Sequence, residues 1–110
     1  MPSELDLLQG TLDVLVLRAL SFGPLHGYAV ARFLKEGSDG AFRILDGALY
    51  TALHRLEERG WVASEWGKSE KGKRAKFYRM TRSGRRALKS EERRWSEYVA
   101  AVGKVMQATP

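Results

Sequence analysis

Residues 82–107 form one helix-length stretch in which Leu88, Trp95 and Val102 recur every seven residues, as do Val99 and Met106. Rows spaced in this way make the a/d seam of a helix that packs along another helix. In a chain of 110 residues little else is left to cover Trp95, Val99, Val102 and Met106, and a long helix with a bare apolar stripe is not stable alone. The same helix of a second chain is the simplest cover, so the pattern predicts a homodimer. Leu5, Leu8 and Leu12 of the first helix offer a further surface for that seam. The competing arrangement folds the helix back over its own chain as a lid, and Glu92, lying in the seam, speaks for it.

Upstream, the apolar spacing reads as three helices. Leu5, Leu8, Leu12 and Leu15, widened by Val16 and Leu20, predict a helix over 5–20 with Ser3 as its N-cap and Gly23-Pro24 as its stop. A second helix runs from near His26 to about Lys35, ended by the Gly-Ser-Asp-Gly turn at 37–40. A third enters at Asp46, read as its cap, and runs to Arg59 before Gly60. Residues 61–66 and 77–80 read as strands joined by a long basic hairpin loop, and Thr81 caps the last helix. The expected fold is mainly α with a small β-hairpin, a winged helix-turn-helix over 1–80 followed by a long C-terminal dimerisation helix over 81–110.

On the third helix Leu49, Leu53 and Leu56 share one face. The opposite arc holds Gly47, Thr51, His54, Arg55 and Glu58, with Tyr50 at the boundary. Such a face suits the major groove: Tyr50 can pack its ring below and offer its hydroxyl above, while Gly47 permits close backbone approach. Any solvated amphipathic helix looks similar, so the face gains meaning only from its neighbours.

The neighbour is the loop over 67–76, where Lys68, Lys71, Lys73, Arg74 and Lys76 meet only Glu70 in opposition. A mobile cationic loop of this kind can straddle a duplex and grip phosphates, adding affinity and salt dependence rather than sequence choice. The bland alternative is a solubilising loop. The charge balance supports the sharper reading: the chain has 19 basic and 13 acidic residues and a net charge of +6. Six basic and eight acidic residues lie through Gly60, thirteen and five from Trp61 onward. Double-stranded DNA is the expected partner. Arg79, Arg82, Arg85 and Arg86 extend the cationic surface without acting as readers.

Other function classes find little support. With no cysteine and only two histidines, His26 and His54, on different helices, the chain offers no zinc–thiolate set, nucleophile elbow or phosphate loop. Neither an enzyme nor a metal or other cofactor is expected. His26 reads as a helix cap or packing residue. The stretch over 12–20 is interrupted by Asp13 and Arg18, which excludes a signal peptide and a membrane span, and absent cysteines suit a cytoplasmic location. The cations sit on a loop rather than an amphipathic helix, so a membrane-surface role fits poorly. The stronger rival is a winged-helix module that binds protein instead of DNA.

The chain resembles the PadR-like transcriptional regulators. The resemblance rests on Leu8-Gln9-Gly10-Thr11-Leu12, on His26-Gly27-Tyr28, and on Gly47-Ala48-Leu49-Tyr50 leading to Leu53 and Leu56-Glu57. Gly60, the basic wing running into Lys76-Phe77-Tyr78, and Thr81 with Gly84 complete the order. Ala48 and Thr51 stand where the family often has threonine and proline. The resemblance implies a winged helix, dimerisation through the last helix, and repression relieved by a small molecule or another signal. It also implies DNA contacts by Tyr28, Tyr50 and the wing cations. The chain looks like the family's short subgroup. In drug-sensing members, aromatic side chains at the dimer seam sandwich planar ligands. Trp95 lies in a corresponding region, as contact for a small aromatic effector or simply as seam packing.

Overall fold

A computed structural model describes residues 10–110. The expected cap Ser3 and the seam leucines Leu5 and Leu8 lie outside the described residues. The elements are α1 (Thr11–Leu20), β1 (Leu25–His26), α2 (Gly27–Gly37), α3 (Asp46–Glu58), β2 (Val62–Lys68), β3 (Arg74–Met80) and α4 (Arg82–Gln107).

The described part of the first helix begins at Thr11, because Gly10 turns through the left-handed region at φ 86°, where glycine pays no steric penalty. It ends where the Ser21 hydroxyl donates to the Arg18 carbonyl. Helix α2 is capped by His26, whose Nδ1 accepts from the Ala29 N–H at 3.2 Å. Helix α3 starts one residue earlier than expected. Leu45 is its N-cap, without a side-chain bond, and Asp46 is its first helical residue, placing a carboxylate in the first turn, where the helix dipole favours it. Its C-terminus closes through Trp61 N–H to the Leu56 carbonyl and Gly60 N–H to the Glu57 carbonyl, with Gly60 at φ 76°, a Schellman arrangement.

The three helices bury Val16, Leu17, Leu20, Val30, Leu34, Leu49, Leu53 and Leu56 against Val62, Tyr78 and Met80 of the sheet. That sheet is antiparallel, in the order β1-β3-β2, and pairs Leu25 with Tyr78 and Val62 with Met80. β1 was not expected: two residues carry no periodicity, and only pairing with β3 makes them a strand. The hairpin strands are also longer than expected. They continue to Lys68 and resume at Arg74, leaving only 69–73 as the turn, closed by Ser69 N–H to the Lys73 carbonyl at 2.8 Å. Lys68, Arg74 and Lys76 therefore stand on strands, because charged side chains do not break an exposed ribbon whose backbone bonds are satisfied.

Thr81 caps α4 as expected, accepting from the Gly84 N–H at 3.1 Å while donating to the Gly60 carbonyl at 2.6 Å. The helix has 26 residues, about 39 Å of rise. Its first turns pack on α1 and β3, and Glu92 pairs with Arg18 at 3.8 Å. Leu88 is buried within the chain's own core, so it does not belong to a seam as its heptad spacing suggested. Leu12 is likewise packed, partly buried, against that core. Beyond Glu92 the helix projects, leaving Trp95, Val99, Val102 and Met106 exposed. The radius of gyration, 15.5 Å, exceeds the about 13 Å of a compact chain of this size. Among the described residues no helix is long and apolar enough to cross a membrane.

Candidate nucleic-acid interface

Three elements converge on one concave face of about 650 Å³: the start of α2 with Tyr28 and Arg32, Tyr50 of α3, and the wing with Lys71, Lys73, Arg74 and Lys76. Glu70 is the one carboxylate among the lining residues. Tyr28 and Tyr50 are 71% and 49% exposed, large rings presented to solvent on this face. Tyr28 sits beside the His26 ring at 6.4 Å and under the Arg32 guanidinium at 5.7 Å. His26 in turn meets Phe77 edge-on at 5.4 Å, tying the start of α2 to the wing strand. Tyr50 lies across Gly27: a Cβ built there would be 2.6 Å from the Tyr50 hydroxyl oxygen. Glycine at 27 thus makes room for the tyrosine, a requirement that sequence reading did not extract from His26-Gly27-Tyr28.

On α3, Gly47, Thr51 and His54 are exposed as expected, with His54 Nε2 2.9 Å from Glu58 Oε1. Gly47 has open space where a Cβ would stand, so nothing in the fold blocks approach there. Arg55 does not lie free on this face. Its Nε donates to Asp13 Oδ2 at 2.9 Å and its Nη2 to Asp13 Oδ1 at 2.5 Å, a bidentate pair. The hydrogen bond to Asp13 raises the Arg55 pKa above its ordinary value, opposed by burial and aided by the charge of Asp13. Asp13 is the residue that sequence reading missed here. No local signal links positions 42 apart.

In the wing, the strand register sets Lys68 directly opposite Arg74 and Trp66 opposite Lys76. Like charges directly opposite one another destabilise a ribbon, a cost relieved by a polyanion. Trp66, exposed, holds the Arg74 guanidinium 4.2 Å from its ring centroid. Gly67 lets Phe77 lie close beneath the ribbon, since a Cβ there would be 3.1 Å from that ring.

A second concavity, about 620 Å³, lies between α1 and α4 and is lined by Thr11, Val14, Glu91, Arg94, Trp95 and Tyr98 among others. Trp95 and Tyr98 stack with centroids 5.7 Å apart. Among the described residues, no group of three or more metal-ligating side chains could hold a metal ion.

A three-helix core with an antiparallel hairpin, a polar tyrosine-bearing third helix and a cationic wing defines a winged-helix DNA-binding protein. The sequence matches the Transcriptional regulator PadR-like family over residues 16–90, and the chain belongs to that family. It is 36% identical over 85 residues to a transcriptional regulator of Mycobacterium tuberculosis, covering 77% of this chain and 75% of that one. A PadR family transcriptional regulator from Eggerthella lenta superposes with a TM-score of 0.76 at 37% identity, over 92% of this chain and 86% of that chain. A transcriptional regulator from Clostridium thermocellum does so with a TM-score of 0.79 at 28% identity, over 87% and 93%. The protein is a transcription regulator.

Proposed function

We propose that the protein is a cytoplasmic repressor that binds an inverted-repeat operator as a homodimer, with residues 1–80 as the DNA-binding domain and 81–110 as the dimerisation helix. The observation that carries the reading is the convergence of Tyr28, Tyr50 and the wing cations Lys71, Lys73, Arg74 and Lys76 on one concave, exposed face. In this reading α3 enters the major groove with Gly47, Tyr50, Thr51 and His54. The wing with Lys68 grips phosphates beside it. Arg55, held by Asp13, is withdrawn from the contact set. Dimerisation is supported by the bare stripe Trp95, Val99, Val102 and Met106 on the projecting half of α4. Two-fold symmetry would set two readers about 34 Å apart, one turn of DNA. The stacked Trp95 and Tyr98 beside the α1–α4 concavity suit a planar aromatic effector that relieves repression.

Fluorescence anisotropy tests this reading with the DNA upstream of the protein's own gene, at two salt concentrations, against a scrambled duplex. Salt-sensitive, specific binding that saturates at two chains per site is expected. Equal affinity for the scrambled duplex would leave an architectural binder, and no binding to either would return the winged helix to a protein-interaction role.

A further inference from the structure

The Asp13 carboxylate is only 13% exposed, yet it faces two guanidinium groups from the C-terminal end of α3 and its cap: Arg55 in the bidentate pair and Arg59 Nη1 at 3.7 Å. Arg59 is also braced against the Trp61 ring, 5.1 Å from its centroid. Arg55 lies one helical turn beyond Thr51, close to the exposed face of α3, and its side chain keeps 42% of its surface in solvent. On position alone Arg55 would be a phosphate contact. The pairing removes it from that role for a physical reason. Taking Arg55 away would strip a largely buried carboxylate of both its hydrogen bonds and leave it only the longer contact to Arg59, which costs more than a solvated phosphate contact returns. A DNA phosphate therefore does not win the guanidinium.

From this geometry we infer that Asp13 is a positioning residue that sets the protein's overall grip on DNA: it sequesters Arg55, and in part Arg59, from the duplex and so holds down sequence-independent affinity. The inference rests on the DNA-binding reading above. Phosphate contacts strengthen binding to every duplex alike, so a cation withheld from them lowers affinity for wrong sequences as much as for the right one. What remains is a larger share contributed by Tyr50, Thr51 and His54. The same pair anchors the reader helix to α1, whose neighbouring residue Val14 lines the concavity beside Trp95.

The test compares wild type, Asp13→Asn, Arg55→Gln and the double variant, each as the full chain, on the upstream duplex and a scrambled duplex across a salt series. Folding is followed by circular dichroism. Asp13→Asn should bind the scrambled duplex roughly five- to tenfold more tightly near 0.1 M salt, with a slope steeper by about 0.9 for one freed cation or about 1.8 for two. Affinity for the upstream duplex should rise by a similar factor, leaving the ratio of specific to scrambled affinity near its wild-type value. Arg55→Gln should keep the wild-type slope, and the double variant should lose the part of the gain due to Arg55. A wild-type slope in a folded Asp13→Asn overturns the inference. So does a slope flatter by about 0.9 in Arg55→Gln, which would place Arg55 on a phosphate already. If Asp13→Asn does not fold, the Arg55→Gln slope decides. Wild-type protein that binds neither duplex would instead overturn the DNA-binding reading itself, and this inference with it.

Discussion

The Tyr50 hydroxyl occupies the space above Gly27 that any other residue's Cβ would claim, 2.6 Å from the position of that atom. The contact sets where α3's one large aromatic side chain stands relative to the start of α2 and the wing.

Gly27→Ala should therefore move Tyr50 without unfolding the chain. The obstructing atoms are the end of a rotatable side chain, and alanine favours the helix in which residue 27 lies. Loss of about 1 kcal/mol of operator binding, roughly fivefold, is expected with little change in melting temperature. Tyr50→Ala should weaken operator binding at least as much while leaving the dimer intact. A Gly27→Ala protein with unaltered operator affinity would show that the ring's position does not matter to DNA.

Gly84 behaves oppositely. A Cβ there would lie 2.0 Å from the Trp61 carbonyl oxygen and 2.8 Å from Met80 Cγ, and the first of these is backbone that cannot swing away. Gly84→Ala should cost about 1–3 kcal/mol or more, a fall of roughly 10 °C in melting temperature. Thermal unfolding followed by circular dichroism measures it directly, and a shift under a few degrees would mean that α4 can slide off the Trp61 carbonyl.

Much of this architecture could be read from the sequence because its signals are local. The faces of α3, its end at Gly60, the Thr81 cap and the limits of α4 follow from apolar spacing and capping chemistry within a few residues. What escaped depends on distant partners. Leu88 and Val102 share one heptad row, yet Leu88 is buried in its own core and Val102 is exposed, because spacing says that a residue is covered but not by what. Arg55 falls in the polar arc of α3, and only the approach of α1 turns it toward Asp13. Likewise β1 exists only through its pairing with β3, and the wing strands run into a charged stretch that reads as loop.

Tyr78 gives the fold a dependence on alkaline pH. Burial raises its phenol above the ordinary value of 10.0, and Tyr50 and Glu57 add to the effect. The folded state thus holds this proton more tightly than the unfolded one. Its contribution is complete below about pH 10 and is lost as pH rises through the folded value. Tyr78→Phe removes the titrating group. Measured over an alkaline series, the melting temperature of wild type should fall faster than that of the phenylalanine variant above about pH 10, and parallel curves would refute the assignment.

The row shared by Leu88 and Val102 allows folding and association to be separated. Leu88→Ala opens a cavity in the core of the chain itself and should cost about 2–5 kcal/mol of stability. Val102→Glu changes only the projecting half of α4, where Val99 is 49% and Val102 43% exposed, so the winged helix should stay folded. In a two-fold dimer the new carboxylate appears twice in the seam. At about 1.5 kcal/mol each, the dimer dissociation constant should rise roughly a hundredfold. Sedimentation equilibrium reads the association and near-ultraviolet circular dichroism the fold. A Val102→Glu protein that remains a tight dimer would move the seam away from this stripe, toward α1. A folded monomer that grips DNA weakly would tie operator affinity to the second copy.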